Sequence, residues 1–247
     1  MKILVAISKT PDTTSKITFK ENNTQPDESS TQWIINPYDE WYSLVRAIEI
    51  KEKDPATIVH ILTVGNAGSD PILRKALALG GDEAIRINSE AKDAFTIANE
   101  IANVAQAGAY DIIFTGKESI DFNGGSVGAI LAELLQLPYL PLATKLELEG
   151  NNATITREIE GGEEKDAVAT PFVIGCTKGM AEQRIPNMRG IMGARSKPLK
   201  VVEPTATESF TTIESFELPA AKDGVKLFEA GQEADLIKIL HEVEKVL

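Results

Sequence analysis

Short β-rich apolar runs alternating with longer amphipathic segments fill the first half of the chain, and nothing else in the sequence restricts the fold as strongly. Such alternation is the signature of a parallel sheet flanked by crossover helices. The runs Ile3–Ser8, Ile58–Val64, Ala84–Ile87 and Asp111–Thr115 lack a clean two-residue period, as expected of strands buried on both faces. Between them, Trp41, Leu44, Val45 and Ile48 fall at helical spacing in a segment from Asp39 to about Asp54, whose first turn carries Asp39 and Glu40 where the helix dipole favours negative charge. Asp70–Leu79 ends at Gly80-Gly81, a C-cap signal. A third helix, Asp93 to Ala107, places Ile97, Ala98, Ile101 and Ala105 on one stripe, and a fourth, Ser126 to Leu135, stops before Pro138.

After Pro141 the pattern switches to alternation, with Leu146 and Leu148, then Ala153 and Ile155, which predicts an antiparallel hairpin turning at Asn151-Asn152. A buried strand over Pro171–Cys176 completes a mixed α/β domain spanning residues 1–202. From Glu203 to about Glu233 the chain is rich in Thr, Ser, Pro and acids without a sustained period, an unusual length of irregular chain for a compact domain. A helix from Ala234 to Leu247 follows, with Leu236, Leu240, Val243 and Leu247 on one stripe. Residues 203–247 are therefore expected to form an arm whose helix covers a partner chain; the competing expectation is that the helix folds back on its own core.

Composition narrows the chemistry. The 247 residues carry 25 Lys plus Arg against 37 Asp plus Glu, a formal charge of −12, which would repel a phosphate backbone or an anionic bilayer. Nucleic-acid binding and membrane insertion are not expected. No apolar run reaches the roughly 18 residues of a spanning helix, and the N-terminus opens directly into a strand-like run, which predicts a cytoplasmic protein used as translated. One cysteine, Cys176, and two separated histidines, His60 and His241, leave no Cys/His metal cluster and no internal disulfide.

The segment most suggestive of a site runs from Asp111 to Gly128: a strand, a glycine-bearing loop through Gly124-Gly125-Ser126-Val127, then an apolar helix. That order presents backbone N–H groups and a helix dipole to an anion, so the loop is expected to hold a phosphate; the plainer reading is a tight turn and a helix cap. It matches neither the Walker A spacing nor a strict G-x-G-x-x-G. Asp121 and Asn123 could take sugar hydroxyls or adenine. The ends of strands one and two, at Ala6-Ile7-Ser8 and Val64-Gly65-Asn66, should lie at the same edge of the sheet, where small residues admit a purine. Asn36-Pro37-Tyr38-Asp39 adds a third element, in which Asn36 either meets an adenine edge or caps the helix. Separately, residues 182–196 mix Arg184, Arg189 and Arg195 with Ile185, Met188, Ile191 and Met192, which reads as an adaptable docking surface or as a basic loop balancing an acidic chain.

With these pieces in order, the chain resembles the beta subunits of electron transfer flavoproteins over nearly its whole length. The motifs that carry the resemblance are Val5-Ala6 with Pro11-Asp12, Asn36-Pro37-Tyr38-Asp39-Glu40, Ala76 through Asp82, Gly116 through Asp121, Arg157-Glu158-Ile159, and Met188 through Arg195. The resemblance implies an adenine-nucleotide-binding, Rossmann-like α/β fold with an extended C-terminal arm ending in a helix. It implies a heterodimer in which this chain clasps an alpha subunit that makes most contacts to the redox FAD, an electron carrier rather than a stand-alone enzyme. Such a carrier would pass electrons from flavin dehydrogenases, such as the acyl-CoA dehydrogenases of fatty acid β-oxidation, to a quinone reductase or another acceptor.

By the same resemblance, a structural AMP, or a second FAD in bifurcating members, would be lined by Ala6, Asn36, Pro37, Tyr38, Asp39, Val64, Asp121, Asn123, Gly124, Gly125, Ser126 and Val127. Residues 182–196 correspond to a recognition loop for flavin dehydrogenases, with Met188 as apolar anchor beside Arg189, Ile191 and Met192. Glu158 corresponds to a glutamate that meets the mobile flavin domain of the alpha subunit. The sequence departs from the family pattern at Asn123-Gly124-Gly125-Ser126-Val127, where fewer side-chain hydroxyls and amides face the phosphates, and this leaves AMP and FAD both open. Thr13 stands where some members place a tyrosine, and the basic cluster after the recognition loop is reduced to Arg195 and Lys197. An ATP pyrophosphatase or a stress-type ATP-binding module of the same fold is the competing class; Ser8-Lys9-Thr10-Pro11-Asp12 after strand one, in place of a Ser-Gly-Gly loop, disfavours it. A binding scaffold without redox partners would leave both the arm and the Met-Arg loop without a use.

Overall fold

The computed structural model describes residues 1–91, 93–221 and 224–247. Its strands are β1 (Lys2–Ala6), β2 (Lys9–Pro11), β3 (Phe19–Lys20), β4 (Gln25–Pro26), β5 (Trp33–Ile35), β6 (Ile58–Val64), β7 (Glu83–Ile87), β8 (Ile112–Gly116), β9 (Tyr139–Glu149), β10 (Asn152–Ile159), β11 (Gly162–Ala169), β12 (Phe172–Cys176) and β13 (Leu199–Val202). Its helices are α1 (Glu40–Lys53), α2 (Asp70–Leu79), α3 (Ala94–Gly108), α4 (Val127–Leu135), α5 (Met188–Ala194) and α6 (Glu233–Glu242). Among the described residues one sheet of nine strands runs in the order β11-β10-β9-β12-β8-β1-β6-β7-β13. From β9 to β13 neighbouring strands are parallel, and β10 and β11 extend the sheet antiparallel beyond β9.

The expected α/β architecture with a mostly parallel sheet is thus observed. Ile3, Leu4 and Val5 of β1 are all fully buried, because the sheet is covered on both faces. Ile3 and Val5 pack with Leu44 and Ile48 of α1 and Leu73 and Leu77 of α2, whereas Leu4 packs with Ile101 of α3 and Leu131 of α4 on the opposite face. Chain order explains where a ligand can enter. Strands β6 and β7 step outward from one side of β1, and β8 and β12 from the other. The flanking connections diverge at this reversal, which is where open sheets of this winding form a ligand crevice, beyond the carboxyl ends of β1 and β8.

Several local readings are corrected. The turn between β9 and β10 takes its left-handed residue at Gly150 (φ 61°), with Asn152 already paired to Glu149, so the turn does not sit at Asn151-Asn152. The hairpin is a three-stranded meander, because Gly161 (φ 83°) turns the chain again and β11 pairs with β10 along its length. Charges on both faces of β11 hide a strand with one face exposed and the other, through Glu164, Asp166 and Val168, half-buried. The terminal helix is shorter than expected, ending at Glu242. Residues 9–35 contain two small antiparallel ribbons, β2 with β5 and β3 with β4, that carry no strong sequence period.

The arm is not a free tether. Its first half lies along α3: Asn99 and Asn103 donate to Thr207 and Thr205 at 2.7 and 2.6 Å, Thr205 donates to Glu100, and Thr211 donates to Asp93. Phe210 meets the Phe95 ring at 4.7 Å between centroids, and Phe216 stacks on Phe19 at 5.2 Å. Beyond this, none of the described residues of α6 is buried, and Val225 and Leu227 are 90% and 84% exposed. Its apolar stripe does not fold back on the core.

Candidate functional site

Four segments converge on the crevice: the end of β1 (Ala6, Ile7, Ser8), the end of β6 (Val64), the entry to α1 (Asn36 to Glu40), and the loop from β8 to α4 (residues 117–126). Hydrogen bonds tie the α1 entry to the chain after β1 and to the β8–α4 loop. Asn36 is fully buried; its side-chain amide donates to the Glu118 carbonyl at 2.9 Å, and its carbonyl oxygen accepts from Tyr38 N–H at 3.2 Å. Asn36 does not cap the helix, as one of its two expected roles required: Asp39 occupies the cap position, and Asn36 instead braces the β8–α4 loop and the approach to α1. Ser43 Oγ donates to the Thr115 carbonyl at 2.8 Å, one turn into the helix.

The opposite end of the α1 entry reaches β1. Ser8 donates to the Glu40 carboxyl through its backbone N–H and through its hydroxyl, the latter at 2.8 Å from Oε1. Gly116 closes β8 directly against this group: a Cβ there would lie 2.9 Å from Glu40 Cγ and 3.1 Å from Asp39 Cβ. Burial pushes Glu40 up to about 8 and also raises Asp39, although Lys117 pulls Asp39 back. Glu40 belongs to a quoted motif, but its carboxyl position is a feature that sequence reasoning missed. A glutamate in a first helical turn looks like a dipole partner, and only the tertiary approach of Ser8 reveals its second role.

The loop itself is built for access. Ser119 N–H donates to the Gly124 carbonyl at 3.0 Å, closing a small turn in which Asn123 adopts φ 50° and Asp121 accepts from Phe122 N–H at 3.1 Å. Asp121, Asn123, Gly124, Gly125 and Ser126 are exposed, and Val127 is half-buried. Ser126 makes no side-chain cap bond to α4, so the first-turn amides are open to an external acceptor. Lys117 is the cation of this loop, and it lies 3.3 Å from Glu118. The residues therefore fit an anionic group held by backbone N–H donors and a helix dipole rather than by cationic side chains. Ala6 and Val64 are half-buried at neighbouring strand ends, Pro37 is half-buried, Tyr38 is 54% exposed and Asp39 is buried.

The Met-Arg segment lies elsewhere and is also organised. Asn187 caps α5 by accepting from Gly190 N–H at 2.8 Å, and Gly190 rests so close to α2 that a Cβ would lie 2.2 Å from the Ala78 carbonyl oxygen. Arg74 donates to the Ala194 and Lys197 carbonyls, and Arg184 pairs with Glu52 at 2.7 Å. These contacts fix the base while Ile185, Met188 and Met192 stay 92%, 72% and 67% exposed. Arg189 is exposed and Ile191 is 41% exposed above a groove of about 580 Å3 shared with α2. Glu158 is exposed on β10, opposite Glu163 of β11, and is not part of the crevice.

Among the described residues there is no cluster of metal-ligating side chains, and no helix is long and apolar enough to cross a membrane. Cys176 is buried, and burial pushes its thiol up to about 12, which makes it a poor nucleophile.

Comparison with known proteins agrees with this architecture. The family profile described as Electron transfer flavoprotein domain matches residues 25–207. The electron transfer flavoprotein subunit beta of Bacillus subtilis (strain 168) is 36% identical over 262 aligned positions covering 100% of both chains. That of Syntrophomonas wolfei is 35% identical, covering 92% of this chain and 90% of its own length. The mitochondrial subunit beta of Arabidopsis thaliana is 32% identical, covering 96% of this chain and 98% of its own. On a matched domain and full-length similarity, the chain belongs to the electron transfer flavoprotein family, among its beta subunits.

Proposed function

We propose that this chain is the nucleotide-holding half of a heterodimeric electron carrier, clasping an alpha subunit and helping to hold that subunit's FAD. In this reading the carrier takes electrons from flavin dehydrogenases, such as acyl-CoA dehydrogenases, and passes them to a quinone reductase or another acceptor. The crevice between β1 and β8, with an uncapped α4 and the braced loop beside it, is the observation that supports a resident AMP. Backbone amides around Gly124 to Val127 would take its phosphate, and Ala6, Val64 and the Asn36–Asp39 segment would surround the purine. The flavin supplies the redox chemistry when bound. This chain supplies position: a rigid sheet, a fastened docking helix, and an arm whose first half is clipped to α3 while its apolar helix is left for the alpha subunit.

Denaturing the purified heterodimer and weighing the released nucleotides tests the proposal. One FAD and one AMP per heterodimer is the expected result; two FAD and no AMP would assign the crevice to a second flavin and the protein to the bifurcating branch. Absence of any adenine nucleotide from this chain would overturn the site.

A further inference from the structure

Glu40, beside the buried Asp39, is a buried acid at the point where the sheet reverses its winding. It is 9% exposed, its carboxyl receives both donors of Ser8, and Gly116 closes over it from β8. The groups that face it are mostly acidic. From its own helix comes Asp39, and from the β8–α4 loop comes Asp121. Lys117 of the same loop acts on Asp39 and lies 3.3 Å from Glu118. Behind Asp39 on β12 is the Cys176 thiol, which burial keeps neutral. From β1 the Ser8 N–H and hydroxyl reach it. Two hydrogen-bond donors without a paired cation do not offset the loss of water around a full negative charge.

A neutral carboxyl satisfies the same geometry. One oxygen accepts from Ser8 N–H, and the acid proton is shared with Ser8 Oγ 2.8 Å away. The neutral form also removes a repulsive charge from a crevice that must accept a phosphate with few cations. We propose that Glu40 is a proton-linked positioning residue of the nucleotide site, held there as the neutral acid so that it latches the end of β1 to the start of α1 without opposing an anionic nucleotide. This rests on the crevice being the nucleotide site. Ionisation of Glu40 adds a third carboxylate beside Asp39 and Asp121, and this charge weakens binding of the nucleotide anion. The burial that pushes Glu40 up to about 8 places this coupling at mildly alkaline pH.

The test is calorimetric titration of the nucleotide-stripped full-length heterodimer with AMP from pH 6.5 to 9.5, in two buffers of different ionisation enthalpy. The second ionisation of the AMP phosphate, near pH 6, lies below this window. Wild-type affinity is expected to fall above about pH 8, by up to about tenfold per pH unit, with about half a proton taken up per AMP at the midpoint. Glu40→Gln keeps an acceptor for Ser8 N–H and should bind AMP with a flat profile and no proton uptake. AMP binding by wild type without proton uptake, or an equal pH slope in Glu40→Gln, overturns the coupling and leaves the site intact. If Glu40→Gln does not fold, the proton uptake of wild type alone decides the matter. Failure of wild type to bind AMP at every pH overturns the site and the coupling together.

Discussion

Asn36 donates its side-chain amide to the backbone carbonyl of Glu118, 82 residues further along the chain, at 2.9 Å. The bond joins the approach to the first long helix to the loop proposed above as the phosphate site. Asn36 is fully buried, so its removal leaves polar groups without a partner. Asn36→Ala should cost about 1–3 kcal/mol in urea unfolding and lower the AMP content of purified protein. A variant with native AMP content would show that the loop holds its shape without the brace.

Glu40 predicts a pH dependence of stability. Its folded value is raised from an ordinary 4.5 to about 8, so across that window the folded chain holds a proton the unfolded chain has released. Its contribution is fully present below the unfolded value and is lost as pH rises through about 8, with a slope of at most about 1.4 kcal/mol per pH unit. Urea midpoints at pH 5, 6, 7 and 8 should therefore show Glu40→Gln gaining on wild type as pH rises. A difference that does not vary with pH would mean that Glu40 is not buried as a neutral acid.

Where the sequence was legible, local period and tertiary burial agreed. The Asp70–Leu79 boundaries are reproduced residue for residue, and the four parallel strands fall within a few residues of their apolar runs. Strands that pair at the periphery were not legible: β11 is charged on both faces, and β13 is a four-residue edge, neither of which carries a buried pattern. That the ends of β1 and β6, at Ala6 and Val64, lie side by side could be read because strand order fixes which ends are neighbours. The Ser8–Glu40 latch could not, since 32 residues of unremarkable spacing separate its members. Residues 9–35 escaped for the same reason, their order coming from the Phe19–Phe216 stack and from the short ribbons.

Gly128, inside α4, leaves room for Tyr139. A Cβ there would lie 2.6 Å from the Tyr139 hydroxyl and 2.9 Å from Thr115 Oγ1, and Gly175 on β12 approaches the same hydroxyl. The ring is held between a helix and a strand and has little freedom to withdraw. Gly128→Ala should destabilise the chain by about 1–3 kcal/mol despite the better helix propensity of alanine. Tyr139→Phe in the Gly128→Ala background should recover part of that loss; thermal unfolding of the single and double variants measures it.

The two aromatic contacts of the arm can be separated from the core. Phe210 and Phe216 meet Phe95 and Phe19 at the surface, so Phe210→Ala with Phe216→Ala should leave global unfolding nearly unchanged. Local release of residues 203–233 should instead raise the rate of limited proteolysis several-fold and slow assembly with the alpha subunit. Native cleavage rates in the double variant would show that the Thr205, Thr207 and Thr211 bonds hold the segment unaided.

Docking by α5 requires that its tip and its seat behave differently. Met188 is 72% exposed and makes no core contact, so Met188→Ala should leave folding and FAD content intact while reducing electron transfer from a flavin dehydrogenase by about tenfold, the loss expected for truncating one apolar anchor. Gly190 is seated against the Ala78 backbone, where a Cβ would lie 2.2 Å from its carbonyl oxygen. Gly190→Ala should therefore displace the whole helix and reduce transfer at least as much as Met188→Ala, although the added methyl is small. Stopped-flow reduction of the heterodimer by the dehydrogenase separates the two: unchanged rates in Met188→Ala with slowed rates in Gly190→Ala would move the anchor from Met188 to Met192 or Ile185. Native rates in both variants would remove α5 from the docking surface.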